Sequence, residues 1–397
     1  MGEVPCWIRA SSWSYAKLRK SLYGLRQAAA DWYELQHRRL MAFDPDLARS
    51  KADPCFYYKV KDGNYFFVLV HVDDYAVAYS DQLYFDAWLA HFRGVPDTDE
   101  YLDIKLIGDV THLLQMRITR VHNVMTLDQE RQISVLAAEY GVLDCKSVLT
   151  PMSAHLDLQK GEDAPAATIP FRQLVGALLW IGRHTHPEIM QPVVYLAQFC
   201  TCYGRDHFLA ALRILKYLCT VQDRKLTFRG GRDFSLPGTQ TRLTMYSDSD
   251  WAMGSTDRKS YSGNVIYMNG DLVGWYTHKQ PIVATSSTEA EYVAVSDACK
   301  DGLSLYYFLG EFVQVLTPIT IYMDNQGAMF MASNLVTNKR SKHIDLRYHM
   351  IRDYINKGIF RLEYISTDIN IADIMTKGLE KVKHRMFTKM LLQDTEG

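Results

Sequence analysis

Apolar residues recur along this chain first at helical spacing, then at strand spacing, then at both in turn. Leu25, Trp32, Leu35, Leu40 and Met41 fall along one predicted helix over 24–41. Next comes an apolar run, Tyr65-Phe66-Phe67-Val68-Leu69-Val70, then His71-Val72-Asp73-Asp74, then Tyr75-Ala76-Val77-Ala78-Tyr79. Two apolar runs around a short polar centre predict a β-hairpin. Residues 153–169 are polar, contain Gly and Pro, and predict a loop. Helical spacing returns at Phe171, Leu174, Leu178 and Ile181, and again at Phe208, Leu212, Leu215 and Cys219. The Gly- and Pro-dense stretch 229–241 marks a domain boundary. Beyond it the pattern predicts strands at 242–248, 262–268 and 281–285, then a helix over 289–303. A strand at 318–323, helices at 326–333 and 343–357 and a strand at 359–365 follow. Three strands, a helix, a strand, helices and a strand predict an α/β layer fold.

With 397 residues the chain is long enough for two to three domains at about 150 residues each. Hydrophobic residues at 48% against 22% charged exclude a wholly disordered chain. Lys plus Arg is 44 and Asp plus Glu 45, so a nucleic-acid partner has to be held by local basic patches. One such patch is Lys17, Arg19, Lys20, Arg26, Arg38 and Arg39, interleaved with Tyr23, Trp32 and Tyr33 as stacking surfaces. The same pattern also describes one polar helix face over a core. Apolar runs are too short for a membrane span, and MGEVPCWIRA lacks the apolar core of a signal peptide. Seven scattered cysteines point to a reducing compartment, and Cys200 and Cys202 stand too close together for the usual zinc knuckle. The expectation is an intracellular chain, in a cytoplasmic particle or the nucleus, neither secreted nor in a membrane.

Four acidic positions stand out beyond residue 241. Asp248 and Asp324 end apolar strands, Glu291 lies in the first turn of a helix, and Asp373 stands at a helix start. Two divalent ions about 4 Å apart activate a water and stabilise the leaving oxygen in phosphodiester hydrolysis. Mg²⁺ is hard and takes oxygen ligands, so such a site needs carboxylates. Each residue also has an ordinary reading. Glu291 lies three residues after Thr288, a capping-box spacing, and the aspartates suit turns or caps.

The flanking sequence resembles the Pol polyprotein of copia-type retrotransposons. SLYGLRQA (21–28) resembles the helix after the first palm strand, and HVDDYAVA (71–78) the reverse-transcriptase hairpin. DCKSVLTPM (144–152) and ALRILKYL (211–218) resemble the thumb and connection. YSDSDWA, DRKSYSG, ATSSTEAEY, DNQGA, KHIDLRYH and NIADIMTK resemble the family's ribonuclease H domain, in the same order. The resemblance implies Asp248, Glu291, Asp324 and Asp373 as catalytic, metal-holding residues for two Mg²⁺ (or Mn²⁺) ions, with Asp250 and Glu289 as the neighbouring alternatives. It implies Arg258, Lys259, Asn325, Gln326, Lys342 and His343 as contacts to an RNA–DNA hybrid, and Tyr23 and Gln27 as contacts to template-primer nucleic acid. Integrases place their Glu last. Here Glu291 stands second, which points to hydrolysis of RNA in a hybrid.

Asp73 and Asp74 match the paired carboxylates of the polymerase hairpin. A polymerase needs a third Asp from an earlier strand, and the twenty residues before SLYGLRQA contain none. The expected fold class is α/β and α+β: a truncated reverse-transcriptase palm and thumb, then a ribonuclease H-like α/β domain. The expected domains are a partial palm over 1–150, a helical thumb and connection over 151–228, a linker over 229–241, the nuclease over 242–380 and a tail over 381–397. The expected function is metal-dependent hydrolysis of RNA in hybrids, with a polymerase half inactive alone and other Pol segments as partners. The alternative is a non-catalytic retroelement remnant that binds nucleic acid.

Overall fold

The structure is a computed structural model. It describes residues 21–98, 101–154, 156–161, 169–230, 240–251, 257–333 and 342–392, with backbone alone at 333 and 342–348. Two compact units divide at Leu106/Ile107.

In the first unit, helix α1 (Ala28–Phe43) precedes an antiparallel sheet of β1 (Ala48–Arg49), β2 (Phe56–Lys61), β3 (Asn64–His71) and β4 (Asp74–Tyr79), in that spatial order. Helix α2 (Gln82–Arg93) follows, its start capped by Asp81, whose side chain accepts from the Leu83 and Tyr84 amides. Leu40, Tyr57, Phe66, Val68, Trp88 and Phe92 form the core. The expected hairpin is β3–β4. His71 pairs with Asp74 across a two-residue turn, Val72-Asp73, in which Val72 takes φ 59°. A β-branched residue is strained there. Trp32 Nε1 and Gln36 Nε2 both donate to the Val72 carbonyl at 2.9 Å and hold the turn.

The second unit opens with β5 (His112–Leu113), β6 (Met116–Val121) and β7 (Val124–Asp128). Helices α3 (Glu130–Glu139), α4 (Phe171–His184), α5 (Met190–Ala197) and α6 (Arg205–Thr220) come next, then β8 (Leu226–Arg229), which pairs with β7. That pairing ties 107–128 to residues a hundred positions later, within the compact unit that begins at Ile107. Phe171, Leu174, Leu178 and Ile181 bury one stripe of α4 against Ile214, Leu215 and Leu218 of α6. Most of the expected linker, 231–239, lies outside the described residues.

A five-stranded sheet then forms from β9 (Gln240–Asp250), β10 (Tyr261–Met268), β11 (Asp271–Lys279), β12 (Gln314–Met323) and β13 (Phe360–Tyr364), in the spatial order β11-β10-β9-β12-β13. β9, β10 and β11 are antiparallel; β12 runs parallel to β9 and β13. Helix α7 (Ser287–Leu309) covers one face over Met245, Ile266, Ile319 and Ile321. Helices α8 (Gln326–Ser333) and α9 (Lys342–Asn356) connect β12 to β13. The opposite face carries the 3₁₀ turn Ile371–Met375 and helix α10 (Lys381–Leu392), packed over Val265, Tyr267 and Leu272. This is the α/β layer that the sequence led us to expect beyond residue 241.

Two expectations need correction. The strand expected at 281–285 is β11, at Asp271–Lys279. Asn269 and Gly270, at φ 55° and 99°, form a two-residue turn between the paired Met268 and Asp271. Asn-Gly tolerates these angles, so the chain reverses ten residues earlier than the apolar run suggests. Residues 381–392, expected to lie in a tail, form α10, because Phe387, Leu391 and Leu392 complete the core under the sheet.

Candidate metal centre

Asp248 lies on the central strand β9, held on both sides by β10 and β12. Strand alternation points Leu243 and Met245 toward α7 and puts Tyr246, Asp248 and Asp250 on the opposite face. Asp324 follows the last residue of β12, and parallel pairing of Tyr322 with Tyr246 sets the two strand ends side by side. Asp373 arrives on the 3₁₀ turn. Asn370 anchors that turn: its Oδ1 accepts from the Ala372 amide at 3.3 Å, and its Nδ2 donates to the Ser247 carbonyl at 3.0 Å. Asp373 is therefore not the cap itself.

The turn sits against β10 at Gly263, the pairing partner of Asp248. A Cβ on Gly263 would lie 2.5 Å from Met375 Cβ and 2.8 Å from Thr376 Cγ2. The glycine is what permits this close approach. Thr376 Oγ1 then donates to Asp248 Oδ2 in a short hydrogen bond. One oxygen each from Asp248, Asp324 and Asp373 lies within 4.8 Å of the others, with Asp248 and Asp373 buried. Thr367 Oγ1 donates to Asp324 Oδ2 at 2.6 Å.

Glu291 is buried on α7. Its Oε1 accepts from the Ser249 amide at 3.1 Å, and its Oε2 has no hydrogen-bond partner. Burial, then Asp248 and Asp324, push its carboxyl well above the ordinary range. Glu289 does something else. Ser286 Oγ accepts from the Glu289 amide at 3.1 Å and Glu289 Oε2 accepts from the Thr285 amide at 2.7 Å. The helix cap is thus Ser286, two residues earlier than the Thr288–Glu291 spacing suggests, which leaves Glu291 facing inward.

Burial pushes the Asp248 carboxyl up to about 7, with Lys377 opposing and Asp373 and Asp324 adding. Asp250 is pushed to about 6 by burial, with Lys377 opposing and Asp373 adding, and its buried Oδ2 has no hydrogen-bond partner. Crowded carboxylates of this kind favour a cation. Lys377 Nζ lies 2.8 Å from Asp373 Oδ1 and 3.9 Å from Asp248 Oδ2; Lys383 Nζ lies 2.6 Å from Asp373 Oδ2. Burial disfavours the charged form of Lys377, but Asp248 and Asp373 hold it above the ordinary lysine range. With oxygen donors alone and an unpartnered Glu291 oxygen beside them, the set fits a hard dication such as Mg²⁺.

The remaining candidates fall as follows. Arg258 is exposed, and Lys259 is half-buried beside Asp257, whose Oδ1 accepts from its amide at 3.2 Å. Asn325 caps α8, its Oδ1 accepting from the Ala328 amide at 2.9 Å; Gln326 is exposed. The side chains of Lys342 and His343 lie outside the described residues. In the other unit Asp73 and Asp74 are exposed at the β3–β4 turn, and Tyr23 and Gln27 are exposed. Of the expected basic patch, Lys17, Arg19 and Lys20 lie outside the described residues. Arg39 is spent internally, donating to the Phe92 carbonyl at 2.8 Å, as Trp32 is on Val72. Sequence reasoning passed over Gly263, Thr376, Lys377 and Lys383. The first three lie within DRKSYSG and NIADIMTK, and Lys377 stands one helical turn after Asp373. Nothing local marks Lys383.

Residues 7–154 match the family described as reverse transcriptase (RNA-dependent DNA polymerase). The chain is 31% identical over 390 residues to a retrovirus-related Pol polyprotein from transposon TNT 1-94 of Nicotiana tabacum, covering 94% of this chain and 28% of the relative. It is 31% identical over 395 residues to that of transposon RE2 of Arabidopsis thaliana, covering 98% of this chain and 26% of the relative. The chain thus spans about a quarter of the length of these curated relatives. Among solved structures, LC11-RNase H1 in complex with an RNA/DNA hybrid is similar to 34% of this chain over 94% of its own, at 17% identity and a TM-score of 0.27.

Proposed function

Because this chain belongs to the Pol polyproteins of copia-type retrotransposons, we propose that its 240–392 region hydrolyses the RNA strand of RNA–DNA hybrids with two Mg²⁺ or Mn²⁺ ions. The observation that carries this reading is the convergence of Asp248, Asp324 and Asp373 from three separate elements to within 4.8 Å. Asp248, Glu291, Asp324 and Asp373 are the residues that hold the ions. Bound there, the ions supply an activated water and stabilise the leaving oxygen. The protein's own part is to hold the carboxylates on packed elements, Asp248 on β9, Glu291 on α7, Asp324 at the end of β12 and Asp373 on the 3₁₀ turn, with Thr376 orienting Asp248 and Thr367 orienting Asp324. Arg258, Lys259, Gln326, Lys342 and His343 are the hybrid contacts, with Asn325 contributing through the start of α8. In the first unit, Asp73 and Asp74 contribute to nucleotide addition in an intact element, with Tyr23 and Gln27 on the template-primer and other Pol segments as partners.

The test is cleavage of a labelled RNA–DNA hybrid by the purified chain in excess Mg²⁺. Low salt is needed, because phosphate contacts weaken steeply as salt rises. Loss of the RNA strand alone, abolished by EDTA, is the expected result. Binding without cleavage by folded, metal-loaded protein would assign the chain to the non-catalytic alternative.

A further inference from the structure

The carboxylate cluster contains cations of its own. Lys377 Nζ lies 2.8 Å from Asp373 Oδ1 and 3.9 Å from Asp248 Oδ2. Lys383 Nζ lies 2.6 Å from Asp373 Oδ2 and donates to the Thr367 carbonyl at 3.1 Å. Both oxygens of a fully buried aspartate are thus engaged by ammonium groups from two elements, the exit of the 3₁₀ turn and the first turn of α10. Lys377 stands between Asp373 and Asp248, the two carboxylates that an ion on that edge would have to bridge.

We propose that Lys377 is an internal counter-cation that competes with a divalent ion for the Asp248–Asp373 edge of the site, while Lys383 reinforces it by holding the second oxygen of Asp373. The inference rests on the metal-binding reading above and adds to it a threshold for loading. Like charges crowded in a buried site repel, and an ammonium at hydrogen-bond distance relieves that repulsion in the metal-free chain. A dication arriving at the same edge must displace the ammonium or bear its repulsion across a few ångströms of protein. Removing the lysine charge therefore weakens the metal-free fold and strengthens cation binding. A lysine that merely oriented Asp373 for the ion would do the opposite to binding.

The experiment measures Mn²⁺ binding by calorimetry on the full chain, together with thermal unfolding in EDTA. It compares wild type with Lys377→Met, Lys377→Arg and Lys383→Met. Lys377→Met is expected to bind Mn²⁺ about ten-fold tighter, equivalent to about 1.4 kcal/mol, and to unfold at a lower temperature in EDTA. Lys377→Arg is expected to restore both properties toward wild type. Lys383→Met is expected to shift both in the same direction as Lys377→Met, by less. Equal or weaker Mn²⁺ binding by Lys377→Met, with wild-type binding intact, overturns the competition and leaves the metal reading standing. Absence of Mn²⁺ binding in wild type and both Met variants overturns both. If Lys377→Met does not fold, Lys383→Met decides on the same criterion.

Discussion

Residues with the same charge do different work in this site because their surroundings differ. Asp248 is buried and receives a hydroxyl from Thr376, while Asp324 is half-exposed and receives one from Thr367. Asp248 lies within β9, and Asp324 directly follows β12. Asp248→Asn and Asp324→Asn keep shape and remove charge. Each is expected to lower hybrid cleavage on the order of 10²–10³-fold, the usual cost of losing electrostatic stabilisation of this kind. Asp250→Asn and Glu289→Gln are the controls, with much smaller losses expected in cleavage rate. Glu289 only caps a helix, and Asp250 lies outside the three-oxygen cluster. An equal loss in Asp250→Asn would move the ligand role from Asp248 to its neighbour.

At the scale of elements, the site is a product of how closely the 3₁₀ turn lies on β10. Gly263 is the contact point, and its φ is not in the left-handed region, so its use is space alone. Adding a methyl group there meets Met375 and Thr376 below any ordinary contact distance. Either the turn lifts or β10 shifts, and both move Asp373 and Thr376 away from Asp248. Gly263→Ala is therefore expected to destabilise the chain by about 1–3 kcal/mol, as overpacking does, and to weaken Mg²⁺ binding as well. Chemical denaturation and calorimetry of the variant test this. A lowered stability with unchanged Mg²⁺ affinity would show that the turn is not what positions the carboxylates.

On the scale of the whole molecule, the centre makes the metal-free chain sensitive to alkali. Asp248 and Asp250 are pushed to about 7 and about 6, and Glu291 is raised, whereas unfolded carboxyls titrate near about 4. Between those values the folded chain keeps protons that the unfolded chain has released. The contribution of these groups to stability is therefore greatest below about pH 4 and is lost as pH rises toward 7. In EDTA, Asp248→Asn is expected to gain stability relative to wild type at pH 8 and not at pH 4. Mg²⁺ is expected to raise the wild-type melting temperature more at pH 8 than at pH 5, since ions bind the deprotonated carboxylates. A difference between wild type and variant that is flat across pH would contradict this account.

What could be read without a structure is what depends on near neighbours in the chain. The hairpin around Asp73-Asp74, the stripe of α4 and the strands carrying Asp248 and Asp324 announce themselves through local periodicity, and so does the α/β class of the second unit. The short motifs around the acidic residues point to the family for the same reason: each is a contiguous string. Even a local signal was missed where two competed, for the apolar run at 281–285 outweighed the Asn269-Gly270 turn that creates β11. The pairing of β7 with β8 and the packing of α10 under the sheet leave no such trace, since their partners lie far away along the chain. The same holds for the metal centre's finer structure. Gly263 meets Met375 and Thr376, and Lys383 reaches Asp373, only after β10, the 3₁₀ turn and α10 have packed. Charge balance in a buried site is set by distances of a few ångströms between such elements, and spacing along the sequence does not encode those distances.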